Sequence, residues 1–413
     1  MSTETSTSRR SLSLGTFGWP LGFAVLAVLA FIWYGFLLPD SGRGTQQWFQ
    51  EWLPLGQLNY ALIWAMSALG LNIVVGYAGL LDLGFVAFWA LGGYCTAWLM
   101  SYFVPIKNVI IGGSPALDDV DQGIHLNIIL VLIAAAALCA LFGVIIGAPT
   151  LRLRGDYLAL VTMGFGEIIP QVFKNGDKAG LGFNLSNATQ GISPIDPVEG
   201  LSVRRGEVSW GPLTSADTVG KFLLFAILTA LIVFVSLRIR RGRMGRAWLA
   251  IREDELAASA MGVPLTRVKL SAYAVGAMAG GLGGVAYAQH LSRMGPDKFN
   301  FGVSVILLAM VVLGGMGNVW GVLVGALGLA MFNSTWLPHG GDSINDTLGT
   351  SINFESLSFL IFGGALVLMM LFRREGFFPE SRTRAVMHEG GPDDLMAEEP
   401  DEKLVESAEE ASK

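Results

Sequence analysis

The residues in this chain that could do chemistry fall into three groups. The first is a polar stretch, Arg238–Lys269, set between apolar runs: R-I-R-R-G-R-M-G-R-A-W-L-A-I-R-E-D-E-L-A-A-S-A-M-G-V-P-L-T-R-V-K. It is basic at both ends and acidic at Glu253, Asp254 and Glu255, then small and apolar up to Gly262 and Pro264. The second group is a set of polar side chains inside apolar runs: Asn72, Tyr77, Tyr94, Thr162 and Glu167, with Asp82 at a junction and Asp156 near an end. Ionisable groups inside apolar segments usually mark ion or proton pathways, and neutral polar ones often hydrogen-bond between helices. The third group is four scattered histidines, His125, His290, His339 and His388. No His/Asp/Glu cluster has metal-ligand spacing, so no metal site is expected. No G-x-x-x-x-G-K-[ST] phosphate loop occurs either. Any ATP-driven work therefore has to be done on another chain.

The elements that position these groups are set by composition. Of 413 residues, 52% are hydrophobic and only 15% are charged, against about 25% in a soluble domain. Nearly uncharged runs recur, each close to the ~20 residues that a spanning helix needs. A β-barrel would alternate in segments of about ten residues instead. The expected fold is all-α, a polytopic transmembrane helical bundle of about ten spans. The spans are read at 19–38, 58–81, 83–104, 124–148, 157–173, 221–237, 268–290, two within 301–337, and 356–372. The run 301–337 is too long for one straight span at about 1.5 Å per residue. Gly314, Gly315 and Gly317 break it into two short spans or a re-entrant pair. Gly76, Gly79 and Gly84 can break or thin the helix near Asp82, or admit close packing. Cys95 and Cys139 lie in apolar runs and read as small buried hydrophobes.

Arginine placement orients the bundle. Arg9/Arg10, Arg152/Arg154, Arg238–Lys269 and Arg373/Arg374 share one side if there are ten spans, and that side is the cytoplasm. Both termini are then cytoplasmic. The segment 174–220, rich in Gly, Ser, Asn and Pro, becomes an external lobe. Residues 1–18 form a Ser/Thr-rich cytoplasmic extension, followed by a first span rather than a removed signal peptide. The domain proper is 19–372, and 373–413 is a cytoplasmic acidic tail expected to be disordered. Residues 389–413 hold ten acidic and two basic side chains, so the overall charge of −6 describes the tail. The cytoplasmic arginines are explained by topology, and nucleic acid is not an expected partner.

Within Arg238–Lys269 a two-turn helix is expected at about 254–261. Asp254 caps it, and Glu255 sits in the first turn, where the helix dipole favours negative charge. Leu256, Ala257, Ala260 and Met261 share a face. Gly262 suits a left-handed C-terminal position, and Pro264 prevents continuation. So short a helix needs a surface to pack on.

The sequence G-R-A-W-L-A-I-R-E-D-E-L-A-A-S-A-M-G-V-P-L-T-R-V-K-L-S-A-Y resembles the cytoplasmic loop of ABC-transporter permease subunits, above all the branched-chain amino-acid (leucine/isoleucine/valine) uptake family. Three further stretches resemble that family in the same order: L-G-L-N-I-V-V-G-Y-A-G-L-L-D-L-G (69–84), L-R-L-R-G-D-Y-L-A-L-V-T-M-G-F-G-E-I-I (151–169) and V-L-G-G-M-G-N-V-W-G-V-L-V-G-A (312–326). The resemblance covers roughly 57–372. It implies a permease subunit, not an enzyme, in a bacterial inner membrane. Glu253, Asp254, Glu255, Leu256, Ala257, Ala258, Met261 and Gly262 would couple it to an ATPase. Asn72, Tyr77, Tyr94, Thr162 and Glu167 are candidates for the substrate path. Implied partners are a second homologous permease, two ABC ATPase subunits, a periplasmic solute-binding protein and the lipid bilayer. The chain itself would bind no cofactor, with ATP and Mg on the ATPases. A urea or small-amide ABC permease and an ion-coupled secondary transporter remain open. Before Gly191-Ile192-Ser193 the family has a Gly-Gly-containing turn, where this chain has N-L-S-N-A-T-Q.

Overall fold

Every run expected to span contains a helix. A computed structural model describes residues 18–112, 115–116, 122–150, 156–177, 184–204, 207–215, 217–349, 357–373 and 376–378. The N-terminal extension, the acidic tail from 379, Arg152, Arg154 and parts of the 174–220 lobe lie outside the described residues. The helices are α1 (Gly18–Ile32), α2 (Arg43–Trp52), α3 (Leu55–Leu71), α4 (Val86–Leu99), α5 (Ile128–Thr150), α6 (Asp156–Lys174) and α7 (Thr218–Arg241). They continue with α8 (Arg243–Glu253), α9 (Glu255–Ala260), α10 (Leu265–Leu291), α11 (Phe301–Gly314), α12 (Val319–Met331), α13 (Leu337–Leu348) and α14 (Ser358–Phe372). Three of them, α1, α3 and α12, run on through π-helical turns at Trp33–Leu37, Asn72–Tyr77 and Phe332–Trp336. Among the described residues, four helical stretches are long and apolar enough to cross a membrane: Arg43–Tyr77, Ile128–Thr150, Thr218–Arg241 and Val319–Gly341. The protein is an all-α membrane-embedded bundle.

The glycine run of α10 explains the packing. A Cβ on Gly284 would sit 2.1 Å from the Trp89 carbonyl oxygen, and one on Gly281 would sit 2.4 Å from Cys139 Sγ. With no side chain at these positions, α4 and α5 reach the α10 backbone directly. Where water cannot drive helices together, such close contact supplies the attraction. The core therefore forms around α10, with α3, α4 and α5 against it.

Local structure departs from the expected spans where backbone pairing prevails. The run 83–104 stops being helical at Leu99, because Met100 and Ser101 (β1) pair with His125 and Ile124. The run 124–148 starts its helix only at Ile128, because Ile124–Leu126 (β3) also pairs in parallel with Val109–Ile111 (β2). The 174–220 segment contains a hairpin, β4 (Glu199–Arg204) with β5 (Glu207–Ser215). In 301–337, α11 ends at Gly314 and α12 begins at Val319. With 14 residues, α11 is only about 21 Å long, shorter than the ~30 Å hydrocarbon layer.

Contacts between distant segments sort the loops to two ends. At one end Arg252 reaches the Gly76 carbonyl, Gly317 N–H reaches Asn72 Oδ1 (2.9 Å), and Phe377 N–H reaches the Leu313 carbonyl (2.8 Å). At the other, Asn59 donates to the Thr218 carbonyl (3.0 Å), Lys221 to Gln289 O (2.8 Å), Ile192 pairs with Met294, and Trp336 donates to Trp52 O (3.2 Å). The first end holds the segments next to the arginine clusters. The second holds the segments that the same charge pattern places opposite.

Candidate coupling surface and translocation elements

The polar stretch folds as two helices rather than one. Gly242 separates α7 from α8, and Gly245, Trp248 and Ile251 give α8 a buried face. Trp248 Nε1 lies 3.0 Å from both the Val268 carbonyl and Ser271 Oγ, which fixes α8 to α10. Sequence reasoning missed this helix because its arginines read as a topological loop. The spacing of Trp248 and Ile251 was the available signal.

At α9 the expected capping is present. Asp254 Oδ1 accepts from Leu256 N–H (2.8 Å) and Ala257 N–H (3.0 Å), and Gly262 is left-handed at φ +82°. Glu255 turns inward. Its Oε1 lies 2.6 Å from Lys269 Nζ, which pins α9 to the first turns of α10. Ala257 and Ala258 part company, the first exposed and the second buried. Leu256 (69% exposed) and Met261 (85% exposed) project outward with Ala257 and Ala260. Glu253 and Asp254 lie exposed beside them. The result is a small apolar knob with an acidic edge, held on a rigid base.

The base is joined to the bundle by Arg252, a residue that sequence reasoning did not single out. Its guanidinium donates to the Gly76 carbonyl at the end of the π-helical turn after α3. Cations at a helix C-terminus satisfy carbonyls that the helix leaves unpaired. Burial lowers the Arg252 pKa, and neighbouring Glu253 opposes that shift. Gly79, at φ +69°, packs flat against the Arg252 stem, where a Cβ would lie 2.9 Å from Cγ. Nearby, the Arg240 guanidinium sits 5.8 Å from the centre of the Tyr77 ring. The amide of Asn72 lies over Gly76 and accepts from Gly317 N–H (2.9 Å). One six-residue turn thus touches both α8 and the glycine turn between α11 and α12. Gly315 and Gly317 break the helix there, at φ +111° and φ +86°, whereas Gly314 is still helical and lets α12 approach, a Cβ on it lying 2.6 Å from the Gly321 carbonyl oxygen.

The five path candidates sit on three elements: Asn72 and Tyr77 in the π-helical turn after α3, Tyr94 on α4, and Thr162 and Glu167 on α6. Asn72, Tyr77, Tyr94 and Thr162 are buried at 1% exposure or less. Tyr94 stacks on Phe173 with ring centres 3.8 Å apart. Thr162 Oγ1 accepts from Leu83 N–H (3.1 Å), and the Thr162 carbonyl leaves no room for a side chain at Gly84. Asp82 Oδ1 accepts from Gly84 N–H (2.9 Å) within the same link. Glu167 alone is exposed, and its Oε1 accepts from Phe301 N–H (2.9 Å) at the start of α11.

The histidines serve separate places. His125 Nδ1 lies 2.6 Å from Asp196 Oδ2, both fully buried, so this pair ties β3 to the 174–220 segment. Burial pushes the Asp196 carboxyl up, while the bonds to His125 and Ala116 N–H pull it back. His290 stacks on Tyr60, and His339 contacts the Thr335 carbonyl. His388 is outside the described residues. Among the described residues no His/Cys/Asp/Glu group could hold a metal ion.

Comparison with known proteins now bears on this geometry. Residues 53–371 match the family model described as branched-chain amino acid transport system / permease component. The chain belongs to this family. The high-affinity branched-chain amino acid transport system permease protein LivM of Salmonella typhimurium is 32% identical over 342 residues, 80% of this chain and 71% of that protein. LivM of Escherichia coli is 32% identical over 349 residues, with the same coverage. The probable branched-chain amino acid transport permease protein LivM of Methanocaldococcus jannaschii is 26% identical over 333 residues, 77% of this chain and 91% of that protein. A shorter likeness links the chain to LivH of Escherichia coli, 30% identical over 115 residues, 28% of this chain and 36% of that protein. No solved structure matches. The interval shared with the branched-chain permease family begins at the end of α2 and closes within α14, so it contains both the knob and the Arg252 linkage. Helix α1 and the tail fall outside it.

Proposed function

We propose that this chain is the membrane-spanning permease subunit of an ATP-driven importer of branched-chain or related hydrophobic amino acids. The observation that carries the proposal is the knob on α9. Leu256 and Met261 are large apolar side chains held out into water on a helix anchored by Asp254, Glu255 and Trp248. Exposed apolar groups on a rigid base call for a protein partner. Glu253, Asp254, Leu256, Ala257, Met261 and Gly262 are the surface offered to an ATPase subunit. Glu255 and Ala258 hold that surface in place. Two such ATPases, carrying ATP and Mg, would act on this chain and on a second homologous permease. A periplasmic solute-binding protein would deliver substrate at the opposite end, near the 174–220 segment. The excess of arginine in Arg238–Lys269 supports a cytoplasmic knob in a bacterial inner membrane, and with ten spans both termini would share that side.

The test is uptake of labelled leucine by vesicles carrying this chain with its genomically adjacent transport subunits. The expected result is uptake that needs ATP and stops when the ATPase is inactivated. Uptake that persists without ATPase activity, driven by a proton gradient, would replace this reading with secondary transport. Competition by urea but not by leucine would replace the substrate.

A further inference from the structure

The spanning helices differ in what they expose. On α1 the outward side chains include Val25, Leu29 and Ile32, on α5 Ile133, Leu141 and Ile145, on α7 Ile227, Leu231 and Phe234, and on α14 Leu360, Val367 and Leu371. All of these are aliphatic or aromatic, as contact with lipid tails requires. Arg238 and Arg241 are exposed only where α7 ends.

Helix α6 breaks this pattern. Its exposed positions include Tyr157 (72%), Leu160 (64%), Gly164, Glu167, Ile168 and Gln171. Positions 157, 160, 164, 167 and 171 recur every three or four residues and so form one stripe along the helix. The stripe carries the Glu167 carboxyl well inside a 19-residue helix and the Gln171 carboxamide in its last turn. Gly164 has open space where a Cβ would point, whereas Gly166, on the packed face, would place one 2.8 Å from the Gly84 Cα. Phe301 N–H orients Glu167 through one oxygen and leaves the rest of the carboxyl group on an outer face. Among the described residues the side chain of Gln171 has no hydrogen-bond partner. Charged and unsatisfied polar groups are not placed against hydrocarbon when an alternative exists; they face a bundle interior or a water-filled cavity.

We propose that this stripe of α6 is one wall of the translocation path, with water in front of it and the second permease forming the opposite wall. The proposal rests on the importer reading and adds the surface along which the substrate moves. A zwitterionic amino acid with an aliphatic side chain suits such a wall. Glu167 offers a charge to the ammonium group, and Tyr157, Leu160 and Ile168 offer apolar contact. Gly164 leaves room for passage. The packed face of α6 also explains how the ATPase surface reaches this wall. Thr162 on that face bonds Leu83 in the 78–85 link, and Gly79 in the same link lies on Arg252.

The test uses the full transporter, with its partner subunits, in vesicles. Single variants Gly164→Cys and Gln171→Cys are compared with Leu141→Cys and Val367→Cys on the outward apolar faces of α5 and α14; the native Cys95 and Cys139 are buried. A charged, membrane-impermeant thiol reagent should label Gly164→Cys and Gln171→Cys at least tenfold faster than the two controls. Leucine plus binding protein should slow that labelling. Equal, slow labelling at all four sites would overturn the proposal in favour of lipid contact. Labelling that occurs only when the second permease is omitted would overturn it in favour of a dry subunit interface. ATP-dependent leucine uptake is read in the same vesicles. Uptake without labelling sinks the wall alone, and labelling without ATP-dependent uptake sinks the importer reading alone.

Discussion

Single residues carry sharply different loads here, and the geometry says which. A Cβ on Gly84 would lie 2.0 Å from the Thr162 carbonyl oxygen, a backbone atom that cannot step aside. Gly84→Ala should therefore cost at least ~3 kcal/mol and show as lost folded protein and a lower Tm in detergent. Gly328→Ala meets nothing within 4 Å and should be neutral or slightly stabilising, since alanine favours helix. A second contrast lies in the turn where the chain departs from the family's Gly-Gly. Asn187 and Ala188 both adopt left-handed backbone, at φ 59° and 49°. Asn187 tolerates this, and its side chain bonds the Gly191 carbonyl (3.1 Å), but alanine gains nothing from it. Ala188→Gly should stabilise the protein by about 1 kcal/mol, measured by thermal unfolding. A Tm that falls on this substitution would mean the turn is not built as described. At the knob, Asp254→Ala removes the cap of α9 and should cost about 1 kcal/mol locally, seen as faster amide exchange at Leu256 and Ala257.

At the scale of elements, the chief unit is the pair α8–α9 on the start of α10. Trp248 and the Glu255–Lys269 pair make this pair move with α10, the helix around which the core packs. Arg252 adds a second connection, through Gly76 and Asn72, to the turn between α11 and α12. Removing the guanidinium leaves the Gly76 carbonyl without that donor and frees the π-helical turn from α8. Arg252→Ala should leave the protein in the membrane with its ATPase partner bound, yet lower leucine uptake per ATP hydrolysed by tenfold or more. Arg252→Lys should recover only part of this, since an ammonium cannot reproduce the planar fork. Loss of ATPase binding in Arg252→Ala would show instead that Arg252 only supports the knob. Leu256→Asp tests the knob directly, with weakened ATPase binding as the expected result.

The whole molecule is organised by its two ends. Segments joined to Arg252 and Gly317 gather at one, and segments joined to Thr218, Met294 and Trp52 gather at the other. This partition puts the Arg238–Lys269 segment and the chain after Arg373 at the same end, as the arginine pattern expects of these two clusters. Tags inserted near Arg241 and in the 338–349 region should therefore be reachable from opposite sides of the membrane. A protease-protection experiment in which both tags fall on the same side would overturn the ten-span reading. The short α11 matters here, because the alternation depends on α11 and α12 acting as two passes.

How much of this was legible beforehand depended on whether the information was local. The number and place of apolar runs, the capping of α9 by Asp254, the left-handed Gly262 and the break at Gly314–Gly317 are local chemistry. Hydrophobic length, a side-chain acceptor before a helix and positive-φ glycine act within a few residues, so sequence alone determined them. Helix α8 was missed because its buried face makes sense only against α10. Strands β1 and β3 replaced the ends of expected spans because their partners lie outside those spans, as Met100 with His125 and Ile124 with Val109. The inward turn of Glu255, the burial of Ala258 and the exposure of Glu167, where Asn72, Tyr77, Tyr94 and Thr162 are buried, were also decided by packing. Arg252 gave no signal at all in a stretch already full of arginines. Its carbonyl partner is 176 residues away, and only the close approach of α3 and α8 makes that one guanidinium different from the rest.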